Sequence, residues 1–410
     1  MSGLNNLKKI AVTGGWGYGN LGDDAILISI IKLWKSMGIE DIVVFTWEKE
    51  QSLIQHFPDI NFVKSNHKGI DEKNIKIKFI PIGSVSFMKS IWIKFLHKLK
   101  YLKWMEKLNI FSSSNYDQIR QNLDEVDLLI VGGGGYLHND MSFKVKSIID
   151  ELTIALELGI PFIIMGVTLG KLTDKRLANG LYNVLGKTRN IWVRDEFSYR
   201  ELKMAGISSE IIPDVAFSDF NLSERETRSN DIGFMITNFE ENMFVCFAML
   251  INTLQCENKC GCVVFLLSRL WESDLETSKK FINIARNIGL NFSLNIPGNI
   301  FELEDQIKKM GLIVSENLHG LIVAVRNGIP VIAINNYTVG NHGDRKLSGT
   351  MKELGAENFI INKHTDMSAI QEMIMTRISD SVEVQKQSFD ICMSVSNKAL
   401  AFIEKAIKSQ

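Results

Sequence analysis

Short apolar runs that end in glycine or polar turns and lead into helical stretches recur twice along the chain, and that alternation leaves few folds open. Residues 9–13, 42–46, 127–131, 160–165 and 191–193 make a first series of apolar runs, and residues 232–236, 262–267, 312–314 and 331–334 make a second. Successive strands separated by a helix lie parallel, because the helix carries the chain back across the sheet face. Strands covered by helices on both faces read as continuous apolar runs rather than as an alternation, and these runs do. Residues 218–230 are polar and charged without periodicity, which marks a linker. The expected fold is therefore α/β, with parallel sheets in two domains, 1–217 and 231–380, facing a cleft. Residues 381–410 are expected to form a C-terminal helix packing back across both. With 45% hydrophobic residues the chain can fill two cores.

One segment breaks the rhythm. Over residues 86–110, Trp92, Phe95, Leu96, Leu99, Leu102 and Met105 follow helical spacing among Lys94, Lys98, Lys100, Lys103 and Lys107. Such an amphipathic insertion either lies on an anionic membrane surface or covers a sheet edge with its lysines in water. Elsewhere charge is balanced, Lys+Arg 46 against Asp+Glu 47, so nothing points to nucleic acid as a partner. The five cysteines are an odd number, and Cys256, Cys260 and Cys262 cluster without a matching His or Cys pair, which supports neither a disulfide framework nor a zinc site. No run reaches the ~18 apolar residues of a spanning helix, and the first residues lack the apolar core of a signal peptide. The expected compartment is the cytoplasm, with the inner membrane face open to the amphipathic insertion.

Ligands of parallel sheets collect at the C-terminal ends of strands, so residues there carry the chemistry. After residues 9–13 comes a glycine-rich turn in which Gly17, Gly19 and Gly22 satisfy G-x-G-x-x-G, with Glu48 placed like a ribose-binding acid. Asp23 and Asp24 would set carboxylates against a pyrophosphate, and Trp16 and Tyr18 crowd the turn, both of which argue against a dinucleotide. Asn20 with Asp23 or Asp24 instead binds sugar hydroxyls, orients a catalytic histidine, or caps the following helix over residues 25–37. Gly132 to Gly135 end another strand, with His138 and Asp140 just beyond. Arg194 follows residues 191–193, where a guanidinium suits a carboxylate or phosphate unless Asp195 or Glu196 neutralises it. His319 falls in the first turn of a helix after residues 312–314, where unpaired N–H groups attract an anion beside a proton donor. Lys346 lies in a polar loop over residues 335–347, with Asn341, Gly343 and Gly349 as hinges and a helix expected near 348–354.

Taken in order, these motifs resemble the polysaccharide pyruvyl transferase family. Gly17-Tyr-Gly-Asn-Leu-Gly-Asp-Asp-Ala-Ile-Leu27 is similar to its N-terminal signature, Val131-Gly-Gly-Gly-Gly135 to its glycine-rich strand, and Val193-Arg-Asp195 with Pro213-Asp-Val-Ala-Phe217 to the block closing its first domain. Leu318-His319 with Gly328-Ile-Pro-Val331, then Lys346, Gly349 and Glu353-Leu-Gly355, resemble its catalytic unit and the segment after it. The resemblance implies two Rossmann-like domains of the GT-B glycosyltransferase type, acceptor side first and donor side second. It implies transfer of pyruvate from phosphoenolpyruvate to a sugar as a cyclic ketal, without metal or organic cofactor. His319 would be the general acid. Arg194, Arg345, Lys346 and the helix start at Asn317 and Leu318, with Gly133 and Gly134, would hold the donor. Gly19, Asn20, Asp23, Asp24 and His138 would face a saccharide acceptor, free or lipid-linked. Two positions depart from the family pattern: Asn317 stands where an Arg is usual, and Asp24 where a Glu is usual. An ordinary glycosyltransferase with a nucleotide-sugar donor would share the fold.

Overall fold

A computed structural model describes residues 7–17, 19–46, 51–64, 113–219, 229–236, 239–337 and 342–408. The insertion expected at 86–110 and Glu48 lie outside them. The first sheet has seven parallel strands, β1 (Lys9–Thr13), β2 (Asp41–Thr46), β3 (Asn61–Lys64), β4 (Leu128–Leu137), β5 (Phe162–Leu169), β6 (Ile191–Val193) and β7 (Glu210–Ile211), in the order β3-β2-β1-β4-β5-β6-β7. The second has six, β8 (Ile232–Met235), β9 (Val263–Leu266), β10 (Ser293–Asn295), β11 (Leu312–Ser315), β12 (Val331–Ile334) and β13 (Ile360–Ile361), in the order β10-β9-β8-β11-β12-β13. Strand order reverses between β1 and β4 and again between β8 and β11. Helices leave the two strands of such a reversal in opposite directions and open a crevice at their C-terminal ends. The glycine-rich turn after β1 and the helix carrying His319 after β11 start at those two crevices.

Several boundaries differ from the sequence expectation. The first helix runs Leu21–Ser36, starting at Leu21 rather than residue 25, because the Asn20 side chain accepts from Gly22 N–H at 3.3 Å and Asp23 and Asp24 favour the positive helix end. Strand β4 does not stop before the glycines but passes through all four to Leu137, with a register shift between Gly134 and Leu137 where Gly134 takes φ +129°. The helix His342–Glu353 starts before residue 348, so Lys346 rides on a helix rather than in a loop, and Gly343 and Gly349 lie inside that helix instead of acting as hinges.

Three apolar clusters hold the molecule. One fills the outer face of the first sheet around Val145, Leu152 and Leu181. A second, rich in phenylalanine, packs Phe234, Phe244, Phe247, Phe265, Phe281 and Phe292 on one face of the second sheet. The third runs without a break through both domains: Ile26 and Ile30 of the first helix, Leu321 and Ile322 of the helix Leu318–Arg326, and Val395, Ala399 and Phe402 of the long C-terminal helix Ser381–Lys408. Within it Arg326, with 0% exposure, pairs with Glu304 at 2.9 Å and Asp219 at 3.4 Å and donates to Ser29 Oγ at 3.5 Å. Asp219 in turn holds Lys32 of the first helix at 2.8 Å. The C-terminal helix reaches the first sheet, where Phe402 meets Trp192 edge-on at 5.8 Å and Lys405 pairs with Glu210. Among the described residues no helix is long and apolar enough to cross a membrane.

Candidate active site

The helix N-terminus after β11 is built by side chains next to His319. Ser315 Oγ accepts the Asn317 N–H at 2.9 Å and donates to the Asn317 carbonyl at 3.0 Å, closing the turn. Asn317 then caps the helix, its Oδ1 accepting from Gly320 N–H at 3.1 Å. His319 is thereby fixed in the first turn and buried, with Nε2 3.8 Å from Asp23 Oδ1 on the other domain. Asp23 is held by Asn20, whose Nδ2 donates to its Oδ2 at 2.8 Å. Asp24 turns the other way, accepting the Gly17 N–H at 3.1 Å. Asp23 thus faces the histidine and Asp24 the loop, while Asn20 caps the helix. His319 Nε2 makes no hydrogen bond among the described residues. Burial pushes the imidazole pKa below its ordinary value, Asp23 and Asp214 pull it up, and Arg194 and Lys346 push it down.

The glycines of the first turn have structural partners. A Cβ at Gly14 or Gly132 would fall 2.3 Å or 2.5 Å from the Trp16 ring, whose Nε1 donates to the Phe45 carbonyl at 2.8 Å. The small residues at Gly14 and Gly132 thus make room for a core indole. A Cβ at Gly22 would lie 2.1 Å from His319 Cβ. The third glycine of the motif is thus the seat of a histidine almost three hundred residues away, a role that no local signal reveals. Gly22→Ala should cost about 1–3 kcal/mol, as overpacking does, and should lower activity by displacing His319; thermal unfolding and turnover measured together check it, and an unchanged Tm with full activity counts against this packing.

The expected cations gather around this pair. Arg194 is anchored by Nε donating to Thr168 Oγ1 at 2.6 Å and by an ion pair with Asp214. Neither Asp195 nor Glu196 is its partner: Asp195 caps the helix Glu196–Met204 through Ser198, and Glu196 binds Arg200 at 2.6 Å. Asp214 escaped the sequence reading, although its block was visible. Lys346 is half-buried and no described residue pairs with it. Burial and then Arg194 push its pKa down to about 7, against the pull of Asp23, Asp195 and Asp214. His138 is partly buried, 3.6 Å from Asp140, and its pKa is lowered by burial and then by Lys346. His319, Arg194, Lys346 and His138 therefore share one electrostatic neighbourhood.

Other expected residues make packing or backbone contacts. A Cβ at Gly133 would be 2.8 Å from the Gly166 carbonyl, and one at Gly134 would meet the Tyr136 ring at 2.8 Å and Asp23 Oδ1 at 3.6 Å. Leu318 packs on the core that joins the domains. Gly19 and Asn20 meet the other domain: the Gly19 carbonyl accepts from Leu270 N–H at 2.8 Å and Asn20 bridges to Arg269. Arg345 lies on the helix His342–Glu353, and its side chain is outside the described set. Among the described residues no group of three His, Cys, Asp or Glu side chains converges as metal ligands do.

Comparison with known proteins follows the same lines. The family described as polysaccharide pyruvyl transferase matches residues 20–337. No curated protein sequence matches the chain. Among solved structures, the chain is similar to Anabaena Alr3699/HepE in complex with UDP, at 11% identity and TM-score 0.56 over 97% of this chain and 100% of that one. It is similar to a glycosyltransferase from Rickettsia africae ESF-5, at 10% identity and TM-score 0.57 over 99% and 100%. It also resembles UDP-GlcNAc 2-epimerase from Neisseria meningitidis bound to UDP-GlcNAc, at 12% identity and TM-score 0.54 over 97% and 100%. At such identities the likeness speaks for the fold, two parallel-sheet domains of the GT-B type.

Proposed function

The chain belongs to the polysaccharide pyruvyl transferase family, a family of transferases, and from that premise we propose that it moves pyruvate from phosphoenolpyruvate onto a sugar of a bacterial surface polysaccharide or its lipid-linked precursor. The observation that carries this reading is the meeting of the His319–Asp23 pair with Arg194, Lys346 and His138 where the crevices of both sheets face each other. Phosphoenolpyruvate brings a phosphate and a carboxylate. Lys346 and the N–H groups at the start of the His319 helix, with an Arg194 guanidinium shared with Asp214, supply the compensating charge. Asn317 contributes its cap rather than a charge, so Arg194 and Lys346 take the part of the family's usual arginine.

His319 protonates the donor's methylene carbon, which makes C2 electrophilic. One sugar hydroxyl adds to C2 and loses its proton. The C2–O bond to phosphate then breaks, phosphate leaves with the electron pair, and a second hydroxyl of the same sugar adds and loses its proton to close the ketal. The sum is phosphoenolpyruvate plus a diol giving a cyclic ketal plus phosphate, and it needs no metal or organic cofactor. In the free site Arg194 and Lys346 hold down the proton affinity of His319. Burial is the larger cause of that lowering; a bound anionic donor offsets the two cations and so raises the proton affinity of His319 from its free-site level.

The amphipathic stretch 86–110 would bring the enzyme to the inner membrane face, where a lipid-linked acceptor resides. The second reading, sugar transfer from a nucleotide donor, is favoured by the fold shared with structures solved with UDP or UDP-GlcNAc. Incubation with phosphoenolpyruvate and a panel of lipid-linked and nucleotide-linked sugars should release phosphate and add the mass of a pyruvate ketal. Silence with every acceptor, together with sugar transfer from a nucleotide donor, would sink this reading in favour of the second.

A further inference from the structure

Two runs of contacts lead away from His319 along the rim of the seam, one through Asp23 and one through the turn before its helix. Asp23 lies 3.8 Å from His319 and is held by Asn20. Asn20 bridges to Arg269, and Gly19 accepts from Leu270. The Arg269 guanidinium lies 4.4 Å from the centre of the Trp271 ring and is clamped in two-pronged fashion by Asp274, at 2.6 Å and 2.9 Å. The pyrrole edge of Trp271 lies 3.7 Å from where a Cβ of Gly19 would stand. Tyr337 stands beyond β12, its ring lying over Gly343, 2.5 Å from where a Cβ would be. Glu316 accepts from the Asn336 amide and sits in the turn that leads to His319.

On this rim Trp271 is 37% and Tyr337 46% exposed, unlike the large aromatic side chains of the cores. The rim around them is acidic or neutral in balance. Asp274 offsets Arg269 and Glu316 adds a carboxylate, so among the described residues the rim beside the two rings holds no unpaired cation for a diphosphate. Aromatic faces beside carboxylate and amide groups suit a neutral ring with one apolar C–H face and equatorial hydroxyls. Both rings lie on the second domain rather than the first, with Trp271 bordering the Gly19–Asn20 turn. Resting on the pyruvyl transfer reading, we infer that Trp271 and Tyr337 form the subsite that receives the acceptor, stacking the pyranose ring whose diol becomes the ketal or the sugar adjoining it. The Arg269–Asp274 clamp fixes the indole in place, so little side-chain freedom is lost when the sugar arrives.

The test uses the full chain and two readouts. In saturation-transfer NMR with methyl β-D-galactopyranoside, methyl β-D-glucopyranoside and UDP as separate probes, and no phosphoenolpyruvate, the wild type should transfer saturation to ring protons of at least one pyranoside, and Trp271→Ala and Tyr337→Ala should each weaken that signal. In turnover with the best acceptor of the panel, each variant should raise the acceptor KM about ten-fold, the scale of one aromatic contact, with the phosphoenolpyruvate KM within about two-fold of wild type. Trp271→Phe, which keeps a ring over Arg269, should recover most of the loss and guards against a folding defect. Unchanged acceptor KM and NMR signal in both alanine variants, no pyranoside signal in the wild type, or Trp271-dependent binding of UDP alone would overturn the assignment. Trp271-dependent pyranoside binding without phosphoenolpyruvate turnover would retain the subsite and discard pyruvyl transfer. Turnover indifferent to both rings would do the reverse.

Discussion

His319→Asn should lower phosphate release from phosphoenolpyruvate by about 10²–10⁴-fold, the usual contribution of a positioned proton donor, while leaving the unfolding transition almost unmoved. Asparagine fills much of the imidazole's place against Gly22 and keeps a polar group near Asp23, but it has no proton to give at neutral pH. The variant separates chemistry from packing, which Gly22→Ala cannot do. The pH profile gives a second reading of the same residue. A general acid works in its protonated form, so the rate should fall as pH rises through the pKa of His319 in the complex. Asp23 raises that pKa. Asp23→Asn should therefore move the falling limb to lower pH, and a limb that stays in place would mean that another group gives the proton. Retention of more than about a tenth of wild-type turnover by His319→Asn would remove His319 from the acid role, given the usual size of that contribution.

Arg326→Leu should destabilise the protein by about 3–5 kcal/mol, because it leaves the buried Glu304 carboxylate without its ion-pair partner, while Asp219 keeps Lys32. Glu304 and Asp219 both lie against the guanidinium, and Asn327 Nδ2, at 2.9 Å from Glu304, is a dipole and cannot replace it. Burial raises the proton affinity of Glu304; Arg326, the Asn327 hydrogen bond and Lys308 outweigh it and hold the carboxyl below its ordinary pKa. A carboxylate depressed in the folded state lends stability above the unfolded glutamate value and loses it as pH falls through the depressed one. Denaturant titration at neutral pH should thus show the full difference, and the gap between wild type and variant should narrow towards acid. A loss under about 1 kcal/mol would place Arg326 among exposed pairs of little weight.

The alternation of strand and helix was legible because it is written in local composition: β1, β6 and β12 coincide with the apolar runs at 9–13, 191–193 and 331–334. Strand β4 was cut short because glycine carries no strand preference of its own, yet β1 and β5 on either side hold it extended as far as Leu137. Lys346 looked like a loop residue because Gly343 and Gly349 flank it, whereas the helix forms around both. His319 and Arg194 could be picked out from their places at strand ends. Their partners could not: Gly22 and Asp23 reach His319 from the opposite domain, and Asp214 reaches Arg194 across β6 and β7, separations over which composition carries no signal. Arg326 carries no mark in the sequence, and only the packing of two helices from different domains makes it a buried hub. Trp271 and Tyr337 were likewise indistinguishable from core aromatics until their exposure was known.

The long helix Ser381–Lys408 lays Phe402 on Trp192 and Lys405 on Glu210 of the first sheet. A ribosome delivers residue 192 long before residue 402. The nascent first domain must therefore wait, with the apolar ground around Trp192 uncovered, until nearly the whole chain has been synthesised. During that interval it is a client for chaperones and a target for aggregation. A premature stop before the final helix would yield two sheets' worth of sequence that cannot be finished.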